Sequence, residues 1–276
     1  MTPVRPLSWP RRARANIAQG LALLVRAPRV RAKPLWRAYS RLAGGVLVAL
    51  ALLLAVMLLV DGSVVAMAKG APRWLPALFD QLTDFGRSGW FLIPLGLLLA
   101  AVAVLASPAL PPFTQAVLAS VTVRLSFLFA AIALPSLAVT VVKRLIGRAR
   151  PYVDSQSDPF HYMLGVWRPD YASFPSGHAT TAFAAAIAIG LIWPRLRVWL
   201  WTYALIIAVS RVVILAHYTS DVIAGTVVGV VGALLVRDWF AARRLGFAIG
   251  PNGSVVTLPG PSLQRIKRVA RSLLGP

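Results

Sequence analysis

The chain has 276 residues, 58% of them hydrophobic and only 13% charged, with a mean hydropathy of +0.72. A soluble domain of this length carries far more polar surface, so the composition points to an integral membrane protein. The absence of cysteine excludes disulfides and thiolate chemistry, and eight aspartates with no glutamate make a carboxylate-rich metal site hard to build.

The net charge of +21 raises the question of nucleic acid, but its distribution answers differently. Residues 1–42 carry ten Lys/Arg and no acid, residues 237–276 carry seven against one Asp, and the segment 61–90 is neutral. Two basic ends flanking an apolar middle follow the positive-inside pattern, and no nucleic-acid recognition motif accompanies the charge. No nucleic-acid partner is expected.

In chain order, the basic segment 1–42 comes first. Its part from 16 to 42 mixes Leu, Val and Trp36 with Arg and suits either an interfacial helix or a disordered tail, since Pro28 and Pro34 interrupt a helix. Uncharged apolar runs then predict six crossings, at 43–60, 90–106, 125–142, 178–193, 198–216 and 222–236. The expected fold is all-α, a six-transmembrane-helix bundle over 43–236 between basic cytoplasmic segments at 1–42 and 237–276. The first run begins too late for a cleavable signal and reads as a retained anchor. Six crossings return the C-terminus to the side of the N-terminus, in agreement with the charge bias at both ends. Residues 246–263, rich in Gly and Pro, read as an irregular linker before a basic amphipathic stretch at 262–274.

With both ends inside, the segments 61–89, 143–177 and 217–221 face outward, and each of the last two contains polar residues that break the apolar pattern. The first cluster is Lys143-Arg144-Leu145-Ile146-Gly147-Arg148-Ala149-Arg150-Pro151. On a continuing helix Lys143 and Arg150 share a face, and Pro151 marks the helix end. Converging cations suit a phosphate, although snorkelling charges at a helix end give the same pattern.

The second cluster is Pro175-Ser176-Gly177-His178, a helix start with Ser176 as cap. Free N–H groups and the helix dipole there favour an anion, and Gly177 permits close approach. His178 then stands where it can donate a proton; a capped helix with an interfacial histidine is the plainer alternative. The third is Ser210-Arg211-x5-His217-x3-Asp221. Four residues apart on a continuous helix, Asp221 reaches the His217 imidazole, fixing its tautomer with the opposite nitrogen outward as a nucleophile requires. Arg211 offers another phosphate contact. Together the clusters supply what phosphoryl transfer needs: charge stabilisation, a nucleophile and a proton donor.

Lys143-x6-Arg150-Pro151, then Pro175-Ser176-Gly177-His178, then Ser210-Arg211-x5-His217-x3-Asp221 resembles the three-part signature of the type 2 phosphatidic acid phosphatases. The motifs span 143–221. The resemblance implies hydrolysis of a lipid phosphate or diphosphate ester without metal or cofactor. His217 would attack phosphorus to form a phosphohistidine, with Asp221 orienting it. His178 would protonate the leaving oxygen. Lys143, Arg150 and Arg211 would hold the phosphoryl oxygens with Ser176 and the Gly177 backbone. Arg144 and Arg148 receive no role. His161 lies outside the signature, in an aromatic loop at 152–174 that either packs at the membrane interface or forms a rim over the headgroup. The expected setting is a bacterial inner membrane with the site facing the periplasm or exterior. Undecaprenyl diphosphate and lipid A phosphate lead as substrates, ahead of phosphatidic acid and phosphatidylglycerol phosphate. A phosphotransferase and a non-catalytic lipid-phosphate binder or transporter are the alternative functions.

Overall fold

A computed structural model of the chain describes residues 8–29, 36–153 and 157–274. Pro34 and the basic residues Arg5, Arg31 and Lys33 of the expected N-terminal segment lie outside the described residues. Ten α-helices and one short hairpin make up the described part. They are α1 (Trp9–Val25), α2 (Trp36–Leu59), α3 (Asp61–Lys69), α4 (Trp74–Thr83), α5 (Gly89–Leu105), α6 (Pro112–Ile146), α7 (Gly177–Ile192), α8 (Arg197–Val213) and α9 (Thr219–Ala242), then strands β1 (Phe247–Ile249) and β2 (Val255–Thr257), and finally α10 (Leu263–Leu274).

Among the described residues, four helical stretches are long and apolar enough to cross a membrane: Trp74–Leu105, Pro112–Ile146, Pro194–Val213 and Thr219–Ala242. Gly44–Leu59 with Asp61–Lys69, bent by 43°, makes a fifth when taken as one broken span. Helix α7 is apolar but has 16 residues, short of the usual crossing length. The protein is thus a helix-rich, multi-pass membrane protein.

Several boundaries differ from those expected. Helix α6 has 35 residues and runs well beyond 125–142 in both directions, its first turn set by Pro112 at a position where no N–H is needed. The helix that was to carry Lys143 and Arg150 together stops at Ile146, before Pro151. Gly147 takes a positive φ of +63°, which ends the helix, and a Cβ there would lie 1.8 Å from the Met163 carbonyl oxygen. Helix α9 continues past 236 to Ala242, and the stretch expected as an irregular linker contains β1 paired antiparallel to β2, with Phe247 opposite Thr257.

The chain divides into two compact units. One comprises residues 1–31, 92–130 and 236–276. In it Asn16 donates to the carbonyls of Ala103 and Ala106 at the end of α5, so α1 is a docked helix. Phe127 meets the edges of Phe240 and Phe247 at centroid distances of 5.5 and 4.6 Å. The apolar side of α10, through Ile266, Val269 and Leu273, packs on Val117, Leu118 and Val121.

The other unit comprises residues 32–91 and 131–235 and contains every candidate site residue. Its core is built on small residues. Ala179, Ala182, Phe183 and Ala186 of α7 pack against Ala204, Ile207 and Ala208 of α8 and Val222 of α9. Cβ atoms on Gly225 and Gly229 would fall 2.4 Å from the carbonyl oxygens of Ser176 and Thr180, so α9 lies in backbone contact with α7. That proximity brings the start of α7 to the start of α9.

Candidate active site

Ser176 caps α7, its Oγ accepting from Ala179 N at 3.5 Å, and Gly177 and His178 form the first turn as expected. A Cβ on Gly177 would lie 3.9 Å from Lys143 Nζ, so the ammonium at the end of α6 faces this helix start. The Ser176 N–H donates to the Asp221 carbonyl at 2.9 Å, which ties the second cluster to the third.

His217 and Asp221 do not share a continuous helix, in contrast to the expectation. Helix α8 ends at Val213, Leu215 turns the chain with a φ of +56°, and the N–H groups of Ala216 and His217 both donate to the Arg211 carbonyl at 3.1 Å. Helix α9 then starts at Thr219, with Asp221 Oδ2 accepting from the Tyr218 N–H at 2.8 Å, as the third residue of a capping box does. The pair still meets: His217 Nδ1 stands 3.6 Å from Asp221 Oδ2, an ion-pair distance too long for a hydrogen bond, and Nδ1 has no hydrogen-bond partner among the described residues. Nε2 lies on the opposite edge of the ring. Burial pushes the His217 pKa down to about 4. Asp221 opposes that shift, while the charges of Arg211 and Arg150 add to it. The imidazole is therefore neutral at physiological pH.

The cations converge from different elements. Lys143 lies within electrostatic reach of Arg150 and Arg211, and His178 within reach of Arg211, His217, Arg87 and Arg150. Arg211 donates from Nη1 to Thr83 Oγ1 at 2.7 Å, and its Nε has no partner among the described residues. Arg150, half-buried beyond the end of α6, donates from Nε to the Pro169 carbonyl at 3.0 Å. All eight expected residues, Lys143, Arg150, Ser176, Gly177, His178, Arg211, His217 and Asp221, thus belong to one cluster.

Arg148 corrects the sequence reading. Far from snorkelling, it is fully buried, donating to Asp221 at 2.5 Å and Asp61 at 2.9 Å. Burial alone would lower its pKa; the charge of Asp221 and the hydrogen bond to Asp61 outweigh that and raise it. Asp61 was legible only as an acid at the end of an apolar run, and Arg148 only as a cation two residues before Arg150. Ser173, which donates to Asp221 Oδ2, and Thr83, which also accepts from Ser210, gave no signal at all. Arg144 lies over the Trp167 ring at 5.9 Å. His161 packs edge-on to Tyr171 at 5.6 Å, in keeping with a packing role, while Trp167 and Leu164 of the same loop are exposed.

The second unit is a small-residue helical scaffold that gathers cations, two histidines and a buried carboxylate at the ends of its helices. The PAP2 superfamily matches residues 124–245 of the chain. A lipid A 1-phosphatase of Rhizobium johnstonii is 35% identical over 207 residues, covering 71% of this chain and 80% of that protein. A lipid A 1-phosphatase of Rhizobium etli is 35% identical over 208 residues, covering 71% and 84%. An undecaprenyl-diphosphatase of Sulfolobus acidocaldarius is 33% identical over 97 residues, covering 32% and 46%. The chain belongs to the PAP2 superfamily.

Proposed function

We propose that the protein is a lipid phosphate phosphatase that works through a phosphohistidine on His217, with lipid A 1-phosphate as its substrate. The observation that carries this reading is a buried, neutral imidazole with Asp221 at its Nδ1 edge and the charges of Arg150 and Arg211 acting on it. Pure binding of an anion calls for the cations but not for an oriented nucleophile, which disfavours the binder or transporter alternative.

In the first step His217 Nε2 forms a bond to phosphorus while the bond from phosphorus to the leaving oxygen breaks. His178 gives its proton to that oxygen. Lys143, Arg150 and Arg211, with the N–H groups at the start of α7, hold the phosphoryl oxygens as charge develops on them. In the second step water attacks phosphorus, the P–N bond breaks, and the water proton returns to His178. Asp221 supports the positive charge that the His217 ring carries between the two steps.

Helix α7 would serve as the sixth crossing, enclosed among its neighbours. Both basic ends would then lie in the cytoplasm, with the site open to the outer face of a bacterial inner membrane. Lipid A 1-phosphate is preferred because the two Rhizobium proteins bearing that activity in their names match over most of both chains. Undecaprenyl diphosphate is the second reading, supported by the shorter match to the Sulfolobus protein. Purified protein assayed against lipid A 1-phosphate, undecaprenyl diphosphate, phosphatidylglycerol phosphate and phosphatidic acid is expected to release phosphate fastest from the first, and vanadate to inhibit. Binding of these lipids without phosphate release would overturn the reading, and transfer of label to another lipid would make the protein a phosphotransferase.

A further inference from the structure

Arg148 is the largest fully buried side chain among the described residues. Its Nη1 donates to Asp221 Oδ1 at 2.5 Å and to Ser220 Oγ at 2.7 Å, its Nη2 to Asp61 Oδ2 at 2.9 Å and its Nε to the Pro159 carbonyl at 2.9 Å. The guanidinium also lies over the Tyr218 ring at 4.3 Å. Asp61, the first residue of α3, accepts from the Ser220 N–H at 2.9 Å and from the Ser220 hydroxyl. Asp221 Oδ2 accepts from Ser173 Oγ at 2.5 Å and the Tyr218 N–H at 2.8 Å. Both carboxylates are sealed from water.

The charges do not cancel. One guanidinium and two carboxylates leave one net negative charge in a place where an unmatched charge is costly. His217, 3.6 Å from Asp221, is the neighbour that turns positive when its Nε2 bonds to phosphorus. A neutral Arg148–Asp221 pair would give that ring no counter-charge; adding Asp61 restores it. We infer that Arg148 and Asp61 are positioning residues for phosphoryl transfer: Arg148 fixes the Asp221 carboxylate against His217, and Asp61 offsets the charge of Arg148 so that Asp221 still supports a positive imidazole. The inference rests on His217 being the nucleophile. Asp61 lies outside residues 124–245, so the family match does not include it.

The test uses the full chain in detergent, with kcat, KM and the pH dependence of kcat/KM measured on lipid A 1-phosphate. Asp61→Asn removes a charge and keeps the shape. It is expected to lower kcat by about 10- to 100-fold, with KM held within about twofold because the phosphate-binding cations are untouched. Losing a negative charge disfavours the protonated imidazole, so the acid limb moves to lower pH while kcat falls. Arg148→Met leaves two carboxylates unopposed and moves the limb to higher pH. Arg148→Lys keeps the charge, holds the limb in place and restores part of the kcat lost in Arg148→Met. Arg150, Arg211 and His178 lie within electrostatic reach of the same imidazole and stay constant throughout. Should Arg148→Met fail to fold, Asp61→Asn and Arg148→Lys decide the matter. Wild-type kcat and pH profile in Asp61→Asn overturn the inference, as does a loss of kcat with the limb unmoved, which marks a structural role alone. His217→Ala turning over at the wild-type rate overturns instead the reading of His217 as nucleophile, and a wild type that releases phosphate from none of the four lipids overturns the proposed function.

Discussion

Two chain reversals deliver the charged groups of the site, one after α6 and one after α8, and they are held in different ways. After α8 the chain closes on itself: Ile214, Leu215, Ala216 and His217 all donate to carbonyls of residues 210–212, and Asp221 returns to the Tyr218 N–H. After α6 the chain is stitched to distant residues. Met163 N donates to Gly147 O, Ala149 N to His161 O, Arg150 N to Asp170 O and Ser173 N to Arg148 O. The first reversal is a local motif and presents His217; the second exists only because the loop at 158–173 folds over it. One turn tolerates a leucine at positive φ, while the other needs glycine because the neighbouring backbone leaves no room for a Cβ.

The sharpest break of the locally closed turn is chemical. His217→Ala is expected to reduce phosphate release by about 10⁴-fold or more while the protein stays monodisperse in detergent. Breaking the stitched turn acts on folding. Gly147→Ala forces a left-handed alanine, about 1–2 kcal/mol, and adds a clash with Met163 of about 1–3 kcal/mol, read as a lowered thermal midpoint. The matching change in the other turn, Leu215→Gly, is expected to shift stability by less than about 1 kcal/mol, because relief of strain and added chain entropy oppose each other. Equal effects at the two positions would remove the contrast.

Between the two, Arg150→Gln is expected to lower kcat/KM by about 10- to 100-fold, mostly through KM, since one proposed charged contact to the phosphate is lost. The pH dependence is milder. In the proposed mechanism His217 must be neutral to attack, and burial holds it neutral down to about 4. Activity therefore stays within about twofold of its plateau at pH 5.5, as far as this group is concerned, where a histidine titrating at about 6.5 would lose roughly tenfold. An acid limb near 6.5 in kcat/KM would contradict the burial effect. Chelators are expected to have the smallest effect, none, because Asp61 and Asp221 are both engaged by Arg148 and the proposed phosphate contacts are cations.

The helical membrane class and the members of the three clusters were legible because apolar run length and short fixed spacings are properties of the chain itself. The same holds for Ser176, Gly177 and His178, whose cap and first turn are local hydrogen bonding. The continuous helix expected to join Lys143 to Arg150, and the one joining His217 to Asp221, were misread for one reason: helix ends depend on which partners donate to the last free carbonyls. Arg148 and Arg150 stand two residues apart in an extended segment, where successive odd or even positions share a face, yet one is buried and the other half-exposed. Their difference comes from what the distant chain offers: two carboxylates from α3 and α9 enclose Arg148, while among the described residues Arg150 donates to a carbonyl of the loop.

Sequence alone determined which residue types were available for phosphate chemistry and that they flank apolar helices, since charge in an apolar chain survives only at helix ends or with partners. The partners themselves were decided by tertiary structure. Asp61 reaches Arg148 across 87 residues and Ser220 across 159, and no local spacing encodes a contact that forms only when separate helices pack.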